Sequence, residues 1–166
     1  KLIKKGHSVK ATDINLTDSW LEYLDVREKD KISEYTKDLD LDMIMHLAAE
    51  TDLEFCELNQ DKAHKTNTIG TENVALVCKE RDIPMIYIST AGVFDGTKEG
   101  LYNESDKPNP INVYGETKFQ GEQIVKNILQ KYFIARAGWM IGGGKKDKKF
   151  IMKIIKQLDE GKKELF

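Results

Sequence analysis

Pro84-Met85-Ile86-Tyr87-Ile88-Ser89 is an apolar, partly β-branched run opened by a proline, and it reads as a buried strand. A loop rich in Gly, Asp, Asn and Pro follows over 91–110. From 112 to 131 the pattern is helical, with Ile124, Val125, Ile128 and Leu129 on one face, and Tyr132-Phe133-Ile134-Ala135-Arg136 gives the next strand. Upstream, Asp42-Met43-Ile44-Met45-His46-Leu47-Ala48-Ala49 reads as another buried strand. It is joined to the first by a helical stretch over 61–81 in which Val74, Val77 and Cys78 share a face, although Gly70 and Thr71 interrupt its middle. A helix over 28–38 precedes that strand, and Ser8-Val9-Lys10-Ala11-Thr12-Asp13 alternates as a further strand ending in an acid. After Gly142-Gly143-Gly144 a last amphipathic helix is expected over 148–158. Strands alternating with helices of this length require parallel crossovers. The expected class is α/β, a doubly wound Rossmann-type parallel sheet covered on both faces.

The chain has 166 residues, enough for one core of good size. Its 26 basic and 28 acidic side chains nearly cancel, and the lysine runs fall beside acids or turns, so they read as solvated surface rather than a nucleic-acid site. Cys56 and Cys78 are too few for a disulfide framework or a zinc site; both read as core thiols of a cytoplasmic protein. His7, His46 and His64 show no ligand spacing, and no metal is expected. No apolar run approaches the ~20 residues of a membrane span.

The chain opens Lys1-Leu2-Ile3-Lys4-Lys5-Gly6, which reads as the end of a helix closed by glycine. In doubly wound folds a nicotinamide cofactor lies outside the carboxyl ends of the strands, and an acid ~20 residues after a glycine fingerprint grips its ribose. Asp13 stands where that acid belongs, although a strand-ending turn residue is an equal reading of Asp13 alone. Counting back places the glycine loop and the first strand outside these residues. An acid at this point repels a 2′-phosphate and favours NAD over NADP.

Tyr114 and Lys118 are four apart on the helix predicted over 112–131 and so share a face. An ammonium beside a phenol suits general-acid chemistry by drawing the phenol down from a pKa near ~10. Thr90 follows the clearest strand directly, at the sheet edge where a ligand would be met. Taken singly, Thr90 reads more readily as a turn hydroxyl and Lys118 as a solvated lysine.

Together, Thr90, Tyr114 and Lys118 resemble the Ser/Thr-Tyr-Lys triad of extended short-chain dehydrogenases. Several strings narrow the resemblance to the reductases that act on dTDP-4-dehydrorhamnose. They are His46-Leu47-Ala48-Ala49, Asn67-Thr68-Ile69-Gly70-Thr71-Glu72-Asn73, Val93-Phe94-Asp95-Gly96-Thr97, Pro108 to Gly115, and Arg136-Ala137-Gly138-Trp139. The resemblance implies NAD(P)H-dependent reduction of a 4-keto sugar nucleotide in dTDP-rhamnose biosynthesis. Tyr114 would protonate the sugar oxygen, Thr90 would hydrogen-bond it, and Lys118 would hold the nicotinamide ribose. It further implies that Asp25 and Val26 meet the adenine, that Ala48, Ala49, Thr51 and Asn67 line the cofactor, and that Trp139 contacts the sugar nucleotide.

Two departures stand out. Ala91-Gly92 replaces the usual Asp-Tyr after the catalytic Thr, which leaves the sugar open. The family also continues into a substrate domain, so 1–145 reads as an incomplete dinucleotide-binding domain and 146–166 as the start of the substrate-domain region. A chain without the central first strand is expected to fold poorly or associate, and to be inactive by itself. The alternatives are a sugar-nucleotide epimerase using the same triad, or a non-catalytic regulatory subunit with the reductase fold. Ala91, where dehydratases carry an acid, argues against dehydration. The partner is a sugar nucleotide, without nucleic acid or membrane, and a homodimer is possible within the family.

Overall fold

The computed structural model describes residues 2–138, 140 and 150–162. A short 3-10 turn, Ile3–Lys5, ends at Gly6, whose φ of 88° is the left-handed stop expected of that glycine. The strands then form two separate parallel sheets. Strands β1 (Thr12–Asp13) and β2 (Glu22–Tyr23) pair in register Thr12 to Glu22. Strands β3 (Ile44–His46), β4 (Met85–Thr90) and β5 (Tyr132–Ala137) make the second sheet, in the order β3-β4-β5. Among the described residues the two sheets are not hydrogen-bonded to each other, so β1 and β3 each have an unpaired edge. Strands β1 and β3 are shorter than their sequence patterns predict.

Helix α1 (Lys29–Thr36) leads into β3. The crossover from β3 to β4 contains α2 (Leu53–Leu58), α3 (Gln60–His64), one π-helical turn (Lys65–Ile69) and α4 (Gly70–Glu80). Helix α5 (Val113–Ile128) links β4 to β5, and α6 (Phe150–Asp159) comes after β5.

The core lies between the sheet and α1, α4 and α5. Ile32, Val74, Val77, Cys78, Val125 and Leu129 close over Met85 and Tyr87. Along β4 burial alternates: Met85, Tyr87 and Ser89 are fully covered, while Ile86, Ile88 and Thr90 on the other face are half-buried. Coverage is therefore one-sided among the described residues, where the sequence predicts helices on both faces.

Helix α2 and strand β2 do not stand out in the sequence pattern. Asp52 caps α2 by accepting from the amide of Phe55 at 2.9 Å, a cap signal that stands in the sequence but belongs to a helix of only six residues. The π-turn marks where the helix expected over 61–81 is broken into separate pieces. It frees the Asn67 carbonyl, which accepts the Thr71 hydroxyl at 2.6 Å.

Candidate active site

The site begins at the carboxyl end of β4. Thr90 ends the strand, and its Oγ1 accepts from the Gly92 amide at 3.0 Å, turning the chain into a 3-10 turn, Ala91–Val93. Helix α5 starts directly against that turn. Asn112 accepts from the Gly115 amide at 2.7 Å, and Glu57 of α2 accepts from the Val113 amide at 2.8 Å, so two free amides of the first turn are satisfied. Gly115 permits the approach, since a Cβ there would overlap the Gly92 carbonyl oxygen. As a result Tyr114 is brought beside Thr90.

Burial pushes the Tyr114 phenol above its ordinary value of 10.0; the Thr90 hydroxyl pulls it down but does not outweigh burial, and the charge of a Cys56 thiolate would add to the rise. The Lys118 ammonium, expected to draw that phenol down, sits instead over the Tyr87 ring at 4.2 Å. Lys118 is 2% exposed, and burial lowers its pKa to about 7, against which the charge of Glu122 raises it.

Around this trio lies a buried polar layer. Tyr87 donates its hydroxyl to the Lys118 carbonyl at 3.1 Å and stacks on His46. His46 lies 3.1 Å from Thr71 Oγ1, and burial together with the Lys118 charge lowers its pKa to about 3, which keeps it neutral. Glu122, one turn beyond Lys118, is wholly buried. It accepts from Ser89 at 2.6 Å and from Arg136 at 2.9 and 2.7 Å. Burial works to raise the Glu122 carboxyl, but these hydrogen bonds and the Arg136 and Lys126 charges hold it below its ordinary value. Sequence reasoning missed Glu122. Its spacing, four after Lys118 and eight after Tyr114, was the available signal.

The other anticipated positions lie at the carboxyl ends of β1, β2 and β3, but in different circumstances. Asp13 is exposed and accepts the Asn15 amide at 2.7 Å. Asp25 is buried and bound by the Arg27 guanidinium at both oxygens, and that pairing holds its carboxyl below the ordinary value. Its side chain is therefore committed within the protein, which the sequence did not indicate. Val26 packs on Gly70, and its carbonyl accepts from Asn73 at 2.9 Å.

Ala48 and Thr51 are exposed and Ala49 half-buried on the loop after β3. Asn67 is fully buried and holds that loop from beneath. It accepts from the Glu50 amide at 2.7 Å and donates to the Glu50 carbonyl at 3.0 Å and to Thr117 at 3.1 Å. Asn67 thus shapes the loop instead of standing on its surface. Trp139 lies outside the described residues. A cavity of about 410 Å³ opens beside Ala91, with Phe94, Tyr102, Asn103, Glu104 and Arg136 in its wall.

The parallel sheet and a Thr-Tyr-Lys arrangement at its carboxyl edge define a short-chain dehydrogenase type of domain. Residues 1–166 match the RmlD substrate binding domain, and the chain belongs to that family. It is 33% identical over 144 residues to the "Probable low-salt glycan biosynthesis reductase Agl14" of Haloferax volcanii, covering 85% of this chain and 48% of that one. The crystal structure of dTDP-4-dehydrorhamnose reductase from Bacillus anthracis in complex with NADP superimposes with a TM-score of 0.78 at 35% identity, over 82% of this chain and 48% of that one. A UDP-glucose 4-epimerase shares the fold, with a TM-score of 0.83 at 20% identity over 99% of this chain and 56% of that one. The chain spans about half the length of the curated relatives it matches.

Proposed function

We propose that the protein at its natural length reduces the 4-keto group of a nucleotide-linked sugar, of the dTDP-4-dehydrorhamnose type, using a nicotinamide dinucleotide. The observation that carries this reading is the placement of Tyr114 beside Thr90 at the sheet's carboxyl edge, with Lys118 one turn further along α5. The names of the relatives support it.

The residues present fit the cofactor. Asn67 holds the loop after β3 so that the small side chains of Ala48 and Ala49 leave room for a flat ring to approach. Asp13 has its carboxylate open at the end of β1, where it would grip ribose hydroxyls. That acid favours NAD over NADP in this reading, although the Bacillus anthracis relative holds NADP. Residues 1–145 would then belong to the dinucleotide-binding domain and 146–166 to the start of the substrate region. The buried thiols suit a cytoplasmic protein. Asp25 contributes little to adenine recognition through its paired carboxylate, so backbone at 25–26 would carry that role.

When bound, the nicotinamide supplies the hydride that reaches the carbonyl carbon. Tyr114 donates its phenolic proton to the carbonyl oxygen. Thr90 spends its lone pair on the Gly92 amide, which leaves its O–H to steady the same oxygen. Lys118 in its charged form would hold the ribose. Arg136, Asn103 and Glu104 give the cavity beside Ala91 a polar wall in which the sugar nucleotide would be seated.

The test is to follow oxidation of NADH and NADPH by a dTDP-linked 4-keto-6-deoxyhexose. Tyr114→Phe should lower kcat at least about 100-fold while cofactor binding persists. Absence of turnover with every 4-keto sugar nucleotide tried, by a folded protein that binds cofactor, would refute the reading.

A further inference from the structure

A carboxylate with no exposed surface is costly to bury unless it is paired, and apolar side chains of similar volume often serve packing as well or better. Glu122 meets the pairing requirement: Ser89 and Arg136 together donate three hydrogen bonds to it. Packing α5 on β5 does not explain why an ion pair stands there. Its location gives a second reason. Glu122 lies one helical turn from Lys118 on the buried face of α5, and among the described residues no carboxylate lies within ion-pair distance of the Lys118 nitrogen. Among those residues the contact made by that nitrogen is with the Tyr87 ring.

We propose that Glu122, held by Arg136, is a positioning residue for Lys118: its buried negative charge favours the ammonium form that the site requires against the cost of burial. The inference rests on the reading of Lys118 as the ammonium of the reductase site. The other titratable groups beside Lys118 carry no negative charge. His46 from β3 is neutral, and Tyr87 from β4 and Tyr114 from α5 are phenols. Cys56 of α2 faces Tyr114 as a neutral thiol, its pKa pushed up to about 11 by burial first. Glu122 itself is paired with Arg136 at 2.7 Å and lies 3.9 Å from Lys126, two cations whose charge would work against the Lys118 ammonium. The Arg136 guanidinium also lies 5.0 Å over the Phe94 ring in the cavity wall, so the pair stands between that cavity and Lys118.

The protein at its natural length is labelled with ε-13C lysine, and the Lys118 signal, assigned by its loss in Lys118→Arg, is titrated. In Glu122→Gln the carboxylate is lost and the Arg136 charge left uncompensated, so the Lys118 midpoint should fall by at least about one pH unit. Glu122→Gln with Arg136→Gln removes both charges, serves if the single variant does not fold, and should show a smaller fall. Glu122→Asp should restore most of the midpoint. The alkaline limb of kcat/KM should move to lower pH by the same amount, with the acidic plateau retained within a few-fold. An unmoved Lys118 midpoint in both Gln variants, or a loss of kcat/KM uniform across pH, overturns the proposal. Because the NMR midpoint needs no turnover, a protein inactive on 4-keto sugars would refute the proposed reaction while the titration still decides the role of Glu122.

Discussion

Replacing Lys118 by Met should make the protein more stable and less active, and the gain should depend on pH in a defined way. Met fills nearly the same volume with an unbranched chain, so the packing against Tyr87 survives. What changes is the charge. The ordinary lysine pKa is 10.5, and in the fold burial takes it to about 7. Each tenfold change in protonation preference is worth about 1.4 kcal/mol, so below pH 7 the folded state carries a penalty on the order of 5 kcal/mol for holding this ammonium. Between pH 7 and 10.5 the unfolded chain binds the proton and the folded one does not. Wild-type stability therefore rises with pH across that window relative to the variant, and the penalty is gone above it. Against a total stability of about 5–15 kcal/mol the effect is large. Urea unfolding of both proteins at pH 6, 8 and 10 measures it, because other titrating groups cancel in the difference. A Lys118→Met variant no more stable than wild type at pH 6, or an advantage that does not shrink as pH rises, would refute the reasoning.

Gly121→Ala should destabilise by about 1–3 kcal/mol, since the new Cβ would overlap the Tyr87 hydroxyl, and Tyr87→Phe in the same chain should return part of the loss in thermal unfolding. Asn67→Leu leaves the Glu50 amide and carbonyl without their side-chain partners; it should cost about 1–3 kcal/mol and weaken calorimetric binding of the dinucleotide at least about tenfold. Burial raises the Cys56 and Cys78 thiols to about 11 and about 12, so both should react slowly with a thiol-specific disulfide reagent at pH 8 and rapidly once urea unfolds the protein.

The contrast between what the sequence disclosed and what it hid arises from the range of the forces involved. Strand β4 and helix α5 were legible because burial imposes local periods: Met85, Tyr87 and Ser89 alternate, and Val125 and Leu129 recur every four residues. The Thr90, Tyr114 and Lys118 positions came with those elements, since a strand end and a helical face fix where such side chains stand. Strand β2 was hidden because two residues carry no period, and the π-turn because Asn67 within it is held by Thr117 of α5 and Thr71 of α4, contacts that no local pattern encodes. The charge state of the site was hidden for a deeper reason. Whether Lys118 is an ammonium depends on Glu122, whether Glu122 is a carboxylate depends on Arg136 and Ser89, and those two are brought together only by the pairing of β4 with β5. The same dependence links stability to function. The parallel register that sets Ser89 beside Arg136 also sets the local field at Lys118, so a variant that slips β5 by one residue should lose the ammonium before it loses the fold.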